Sequence, residues 1–200
     1  MVLPGQFLER PALVDAAGVT LEALYHRGER PPAILLCPSL GGEGMDAPLL
    51  AEMAWAAARA GHASLRFQHR GRGASQGTPD PSTALVDALA ALEHLRETVG
   101  PLLAAAGVGS GCKTALEVSV RAGLRRAVLV GPEEATAVPP ELSVLVLLPG
   151  TASGPRVAAL SAAVAPGRGQ VEVVDGADAA FRTGIARVAQ LAVSFIGSRG

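Results

Sequence analysis

The chain has 200 residues, 49% of them apolar and 18% charged, a composition that suits one globular domain over 1–200 with a substantial core. Seventeen Lys and Arg against 18 Asp and Glu leave a formal net charge of −1, too little of either sign to draw nucleic acid or an anionic membrane. No stretch approaches the roughly 20 apolar residues of a membrane span, and no basic segment precedes a long apolar run at the start, so the expected location is the cytoplasm.

PALVDA and VTLEALYH, separated by Ala17-Gly18, read as an antiparallel hairpin. From Ala33 onward short apolar runs alternate with helical segments: AILLC, then Pro48 to Ala60; ASLRF, then Pro81 to Val99; PLLAAAG, then Cys112 to Ala122. RAVLV and SVLVLL follow, then a weak helix near Val157 to Val164, a strand VEVV and a closing helix from Phe181 to Ile196. Strand and helix in alternation predict an α/β fold, a mostly parallel twisted sheet with helices on both faces, an antiparallel hairpin at its start and no cap domain. Leu85, Ala88, Leu89, Leu92 and Leu95 form the buried stripe of the second helix, and Ile185, Val188, Leu191, Ala192 and Phe195 that of the last.

Cys37 and Cys112 are the only cysteines, too few for a disulfide scaffold or a four-thiolate zinc site, and they read as small buried apolar groups. No paired histidines or carboxylate cluster has ligand spacing, and the loops GGEG and GRG lack the context of a phosphate site. No metal and no cofactor is expected.

Three segments in order resemble the small α/β-hydrolases related to dienelactone hydrolase and short-chain esterases. Cys37-Pro38-Ser39-Leu40-Gly41-Gly42, with Met45-Asp46 behind, is similar to that family's loop HPHPxxGGxMD, which supplies an oxyanion-hole N–H. Leu65 to Gly77, LRFQHRGRGASQG, is very close to its strand followed by RGxGxSxG, and Arg70 then has a loop-pinning role. Gly107-Val108-Gly109-Ser110-Gly111 stands where the family has its G-x-S-x-G nucleophile elbow.

The resemblance implies a catalytic triad, and this sequence departs from it three times. Gly109 occupies the nucleophile position; Ser153, in LPGTAS, stands where an Asp is expected; Ala179, in GADAAF, stands where the histidine is expected, and no histidine follows His94. A slip of one residue that made Ser110 the nucleophile would place Val108 and Cys112 where the tight turn needs small residues.

Two functional readings result. The leading one is a non-catalytic homologue that binds a small carbonyl or carboxylate ligand near Ser39, Leu40, Gly41 and Ser110, or a protein partner or second copy through its helical faces. The other is a hydrolase of a small ester or thioester with an unconventional nucleophile, Ser110 or Cys37; His69, at a strand end, and Cys112, in the first turn of the elbow helix, complete its reactive candidates. Lys113 is the sole lysine, and the preference for Arg and Ala points to a GC-rich bacterial genome.

Overall fold

A computed structural model describes residues 9–165 and 168–198. β1 (Glu9–Asp15) and β2 (Thr20–His26) form the hairpin, with Leu21 opposite Val14. Ala17 at φ 56° and Gly18 at φ 82° close it as a two-residue turn with both central residues left-handed, the hand that matches strand twist. Asp15 Oδ1 accepts the Gly18 N–H at 2.7 Å.

Beyond the hairpin the chain runs β3 (Arg30–Cys37), α1 (Pro48–Arg59), β4 (His62–Phe67), α2 (Ala84–Val99), β5 (Leu103–Val108) and α3 (Gly111–Arg121). It continues with β6 (Arg126–Val130), β7 (Ser143–Pro149), α4 (Gly154–Val164), β8 (Arg168–Val174) and α5 (Ile185–Gly197). The eight strands form one sheet in the order β1-β2-β4-β3-β5-β6-β7-β8. β3 to β8 are parallel, and β2 joins them antiparallel to β4. Residues of α2, α3 and α4 pack on one face and those of α1 and α5 on the other. All six residues of β4 are buried, as a strand covered on both faces requires. Among the described residues no helix is long and apolar enough to cross a membrane.

Some boundaries differ from the sequence expectation. α4 begins at Gly154 rather than Val157, because Pro155 suits a first helical turn that needs no N–H. α2 is preceded by a short 3-10 turn, Pro81–Thr83, whose Asp80 accepts the Ser82 N–H. Its buried side includes Asp87, with Leu85 and Leu89 only partly covered. α5 starts at Ile185, four residues later than expected. Asp178 accepts the N–H groups of Ala180, Arg182 and Thr183, which fixes a turn that puts Phe181 at φ 52° and Gly184 at φ 72°. The buried face of α5 is Val188, Ala189, Ala192, Val193 and Ile196, so Leu191 and Phe195 fall on its margin.

The approach of α3 to the sheet is set by two glycines. A Cβ on Gly111 would collide with the Pro38 carbonyl oxygen and stand 2.6 Å from that of Cys37; one on Gly107 would stand 2.6 Å from the Gly111 carbonyl carbon. Alanine ordinarily stabilises a helix over glycine by about 1 kcal/mol. At Gly111 the overlap with backbone reverses that sign. Gly111→Ala is expected to lower stability by about 1–3 kcal/mol, read as a fall in the urea midpoint; a rise would contradict the contact.

Candidate functional site

The carboxyl ends of the parallel strands, where ligands of open α/β sheets bind, bring together the loops after β3, β5 and β6. Gly109, between β5 and α3, lies at φ 57°, a conformation in which a side chain is strained. Its N–H donates to the Val130 carbonyl at 2.9 Å and its own carbonyl accepts the Cys112 N–H at 3.1 Å. The turn is thereby fixed at both ends.

Ser110 follows, at the N-terminus of α3. Its Oγ accepts the Leu40 N–H at 3.0 Å and shares a 2.8 Å hydrogen bond with Ser39 Oγ. Three of the four residues expected at a ligand site, Ser39, Leu40 and Ser110, therefore meet. Gly41 is exposed, with open space where its Cβ would be. Above Gly109 the position of a Cβ is 3.5 Å from Ser39 Oγ and 3.9 Å from Glu133 Oε1. A cavity of about 150 Å³ opens beside this corner; buried Leu116, Leu129, Val146 and Leu160 line it, and exposed Lys113 and Glu133 stand at its opening.

Neither a protein-family model nor a curated protein matches the sequence. Solved structures do. Est1E from Butyrivibrio proteoclasticus, bound to ferulic acid, superposes with a TM-score of 0.77 at 13% identity over 92% of this chain and 97% of that one. Dienelactone hydrolase from Anabaena variabilis gives 0.77 at 18% identity over 94% and 96%. An α/β serine hydrolase without lid from Xanthomonas campestris gives 0.73 at 16% identity over 98% and 95%. The chain has the α/β-hydrolase fold.

Within that fold, the loops that carry Ser153 and Ala179 are tied to each other: the Gly150 N–H donates to the Ala177 carbonyl at 3.0 Å. Ser153 precedes α4 without a side-chain capping bond, and both it and Ala179 are exposed. No carboxylate or imidazole stands at either position.

The two thiols are not placed for chemistry. Cys37 and Cys112 are both buried, and burial pushes both thiols far up from their ordinary value. The Cys112 S–H donates to the Gly107 and Val130 carbonyls. A cysteine nucleophile must be ionisable and reachable. Both sulfurs fill core volume.

The histidines lie apart from the elbow. His62 Nδ1 contacts the Pro32 carbonyl at 2.9 Å at the opposite end of the sheet, and His26 Nδ1 contacts that of Ala54 at 3.1 Å. His69 follows β4, which β3 separates from β5. It is 4% exposed, edge-on to Phe67, with Nδ1 3.5 Å from Asp87 Oδ2. Asp87 also accepts Arg70 N–H at 3.0 Å, Nε at 2.8 Å and a terminal guanidinium N–H at 2.6 Å. Arg70 thus pins the loop after β4 to α2, the role expected of it.

Glu133 and Lys113, which belong to no motif of the sequence, also border the cavity. Gly131-Pro132-Glu133 directly follows β6, and the pairing of β6 with β5 brings Glu133 beside the turn at Gly109, a proximity that no local pattern marks. Among the described residues, no group of three or more His, Cys, Asp or Glu is placed to hold a metal ion.

Burial alone would raise the Asp87 pKa, but the nearby His69 ring and the hydrogen bonds and charge of Arg70 outweigh it and hold the carboxyl below the ordinary carboxylate range. A depressed carboxyl contributes stability that is present above its unfolded pKa of roughly 4 and lost as pH falls through its folded value. Asp87→Asn should cost about 3 kcal/mol at pH 7 by leaving Arg70 unpaired. The deficit relative to the parent should shrink as pH falls below about 4, measured by denaturant titration across pH; a constant deficit would contradict the ion pair.

Proposed function

We propose that this α/β-hydrolase-fold protein binds a small carbonyl compound beside Gly109 and Ser110 and does not cleave it by a Ser-His-acid triad. The observation that carries this reading is the occupation of the Leu40 N–H by Ser110 Oγ. In working enzymes of this fold such an N–H is left free to receive an oxyanion. Here it satisfies a hydroxyl of the chain itself. Gly109 offers no nucleophile, and the nearest imidazole by strand order, His69, is buried two strands away against Asp87. Loss of nucleophile and base together removes about a thousandfold or more of rate.

A second reading is hydrolysis of a small ester or thioester by Ser110. The kinship of the fold supports it, since the similar structures are esterases and hydrolases. The 2.8 Å bond between Ser110 and Ser39 also puts two hydroxyls at the site. Ser110 would need a base, and a carboxylate at the cavity mouth, Glu133, is the group at hand.

A screen of short-chain acyl esters and thioesters separates the two. The parent protein and Ser110→Ala are expected to be equally inert, while the variant Gly109→Ser, Ser153→Asp, Ala179→His gains slight turnover. Turnover by the parent that disappears in Ser110→Ala would replace binding with hydrolysis as the function.

A further inference from the structure

The binding reading leaves the ligand's chemical class open, and the geometry around Gly109 narrows it; the inference rests on that reading. We propose that the cavity is built for a small neutral carboxamide rather than a carboxylate. The space above Gly109 is bounded by groups of opposite hydrogen-bonding sense. Leu40, at its edge, carries a donor N–H held by Ser110 Oγ, and the hydroxyls of Ser39 and Ser110 serve either way. Glu133 Oε1 reaches within 3.9 Å of the Gly109 Cβ position and can only accept.

A primary amide answers both. Its oxygen takes the Leu40 N–H when Ser110 Oγ turns aside, and its NH2 donates to Glu133. A carboxylate in the same place has no proton to offer and sets like charge against like. An ester satisfies the donor and leaves the carboxylate without a partner.

The wider charge balance agrees. Lys113, Glu133 and Glu134 border the cavity, and Arg156 donates to the carbonyl of Pro132 in its wall at 2.7 Å. Two cations against two anions leave no net charge for an anionic ligand to neutralise. The body of the ligand is set by size and lining. About 150 Å³ bounded by Leu116, Leu129, Val146 and Leu160 matches the volume that holds a benzene ring in an apolar cavity. Benzamide combines this body with this head.

The test is an NMR titration of the intact protein with benzamide and with benzoate at pH 7, following the Leu40, Gly109 and Ser110 amides. Benzamide is expected to bind at least about tenfold more tightly than benzoate and to shift these amides. In Glu133→Gln the preference should fall to about threefold or less because benzoate gains. Benzoate binding as tightly as benzamide with shifts at these amides would overturn the amide class and leave the binding site standing. Binding that shifts other amides, or no binding by either compound up to about 10 mM, would overturn the site as well.

Discussion

The contact on which the rest of the structure depends is backbone against backbone, where the start of α3 meets the end of β5 and the loop after β3. No Cβ fits at Gly107 or Gly111, because the peptide groups of Cys37, Pro38 and Gly111 already occupy that space. This closeness brings the Leu40 N–H within reach of Ser110 and seats α3 over β5 and β6 with its start against β3. It also sets the register of the turn: the crowded positions are 107 and 111, so the left-handed middle residue is Gly109. A single methyl group at either end would move the loop that carries the donor.

Two partly buried ion pairs hold the outer parts of the sheet around this centre. Arg70 and Asp87 fasten the loop after β4 to α2, and Arg66 joins Glu9 of β1 while donating to the Met45 carbonyl. Their charges are paired inside the protein, which is what burial of a charge demands. Those of Lys113, Glu133 and Glu134 are left in the open around a cavity. Charge is paired on the β4 side of the molecule and exposed around the cavity on the β6 side.

Much of this was readable from residue order alone. Runs such as AILLC and RAVLV, covered on both faces, announce parallel strands by continuous apolar character, and the hairpin was marked by Ala17-Gly18. The meeting of Ser39, Leu40 and Ser110 was legible because each sits just past a strand end in a recognisable loop. What was not legible depended on distance across the sheet. Nothing in EEATAVPPE says that Glu133 turns toward Gly109, since that proximity is set by the parallel pairing of β5 with β6. Phe181 looks like a helix residue by hydropathy, yet α5 starts only at Ile185. Its place is decided by three N–H groups gathered on the Asp178 carboxylate, a local bond that an apolar periodicity does not register. Asp87 escaped the helical stripe for the same reason: its burial is made tolerable by Arg70, a partner 17 residues earlier.

The hydroxyl of Ser110 on the Leu40 N–H makes the protein its own competitor. Because that hydroxyl is tethered, no dilution removes it. A carbonyl ligand bound as proposed would have to displace it, so its apparent affinity would fall by the fraction of molecules in which the donor is open. A compound with a single acceptor merely exchanges one oxygen for another at the donor. Net gain goes to one that engages a further group as it displaces the hydroxyl. In the proposed binding role the tethered oxygen would therefore act as a threshold that filters ligands by the number of contacts they make at once, and so set selectivity without a rigid pocket wall.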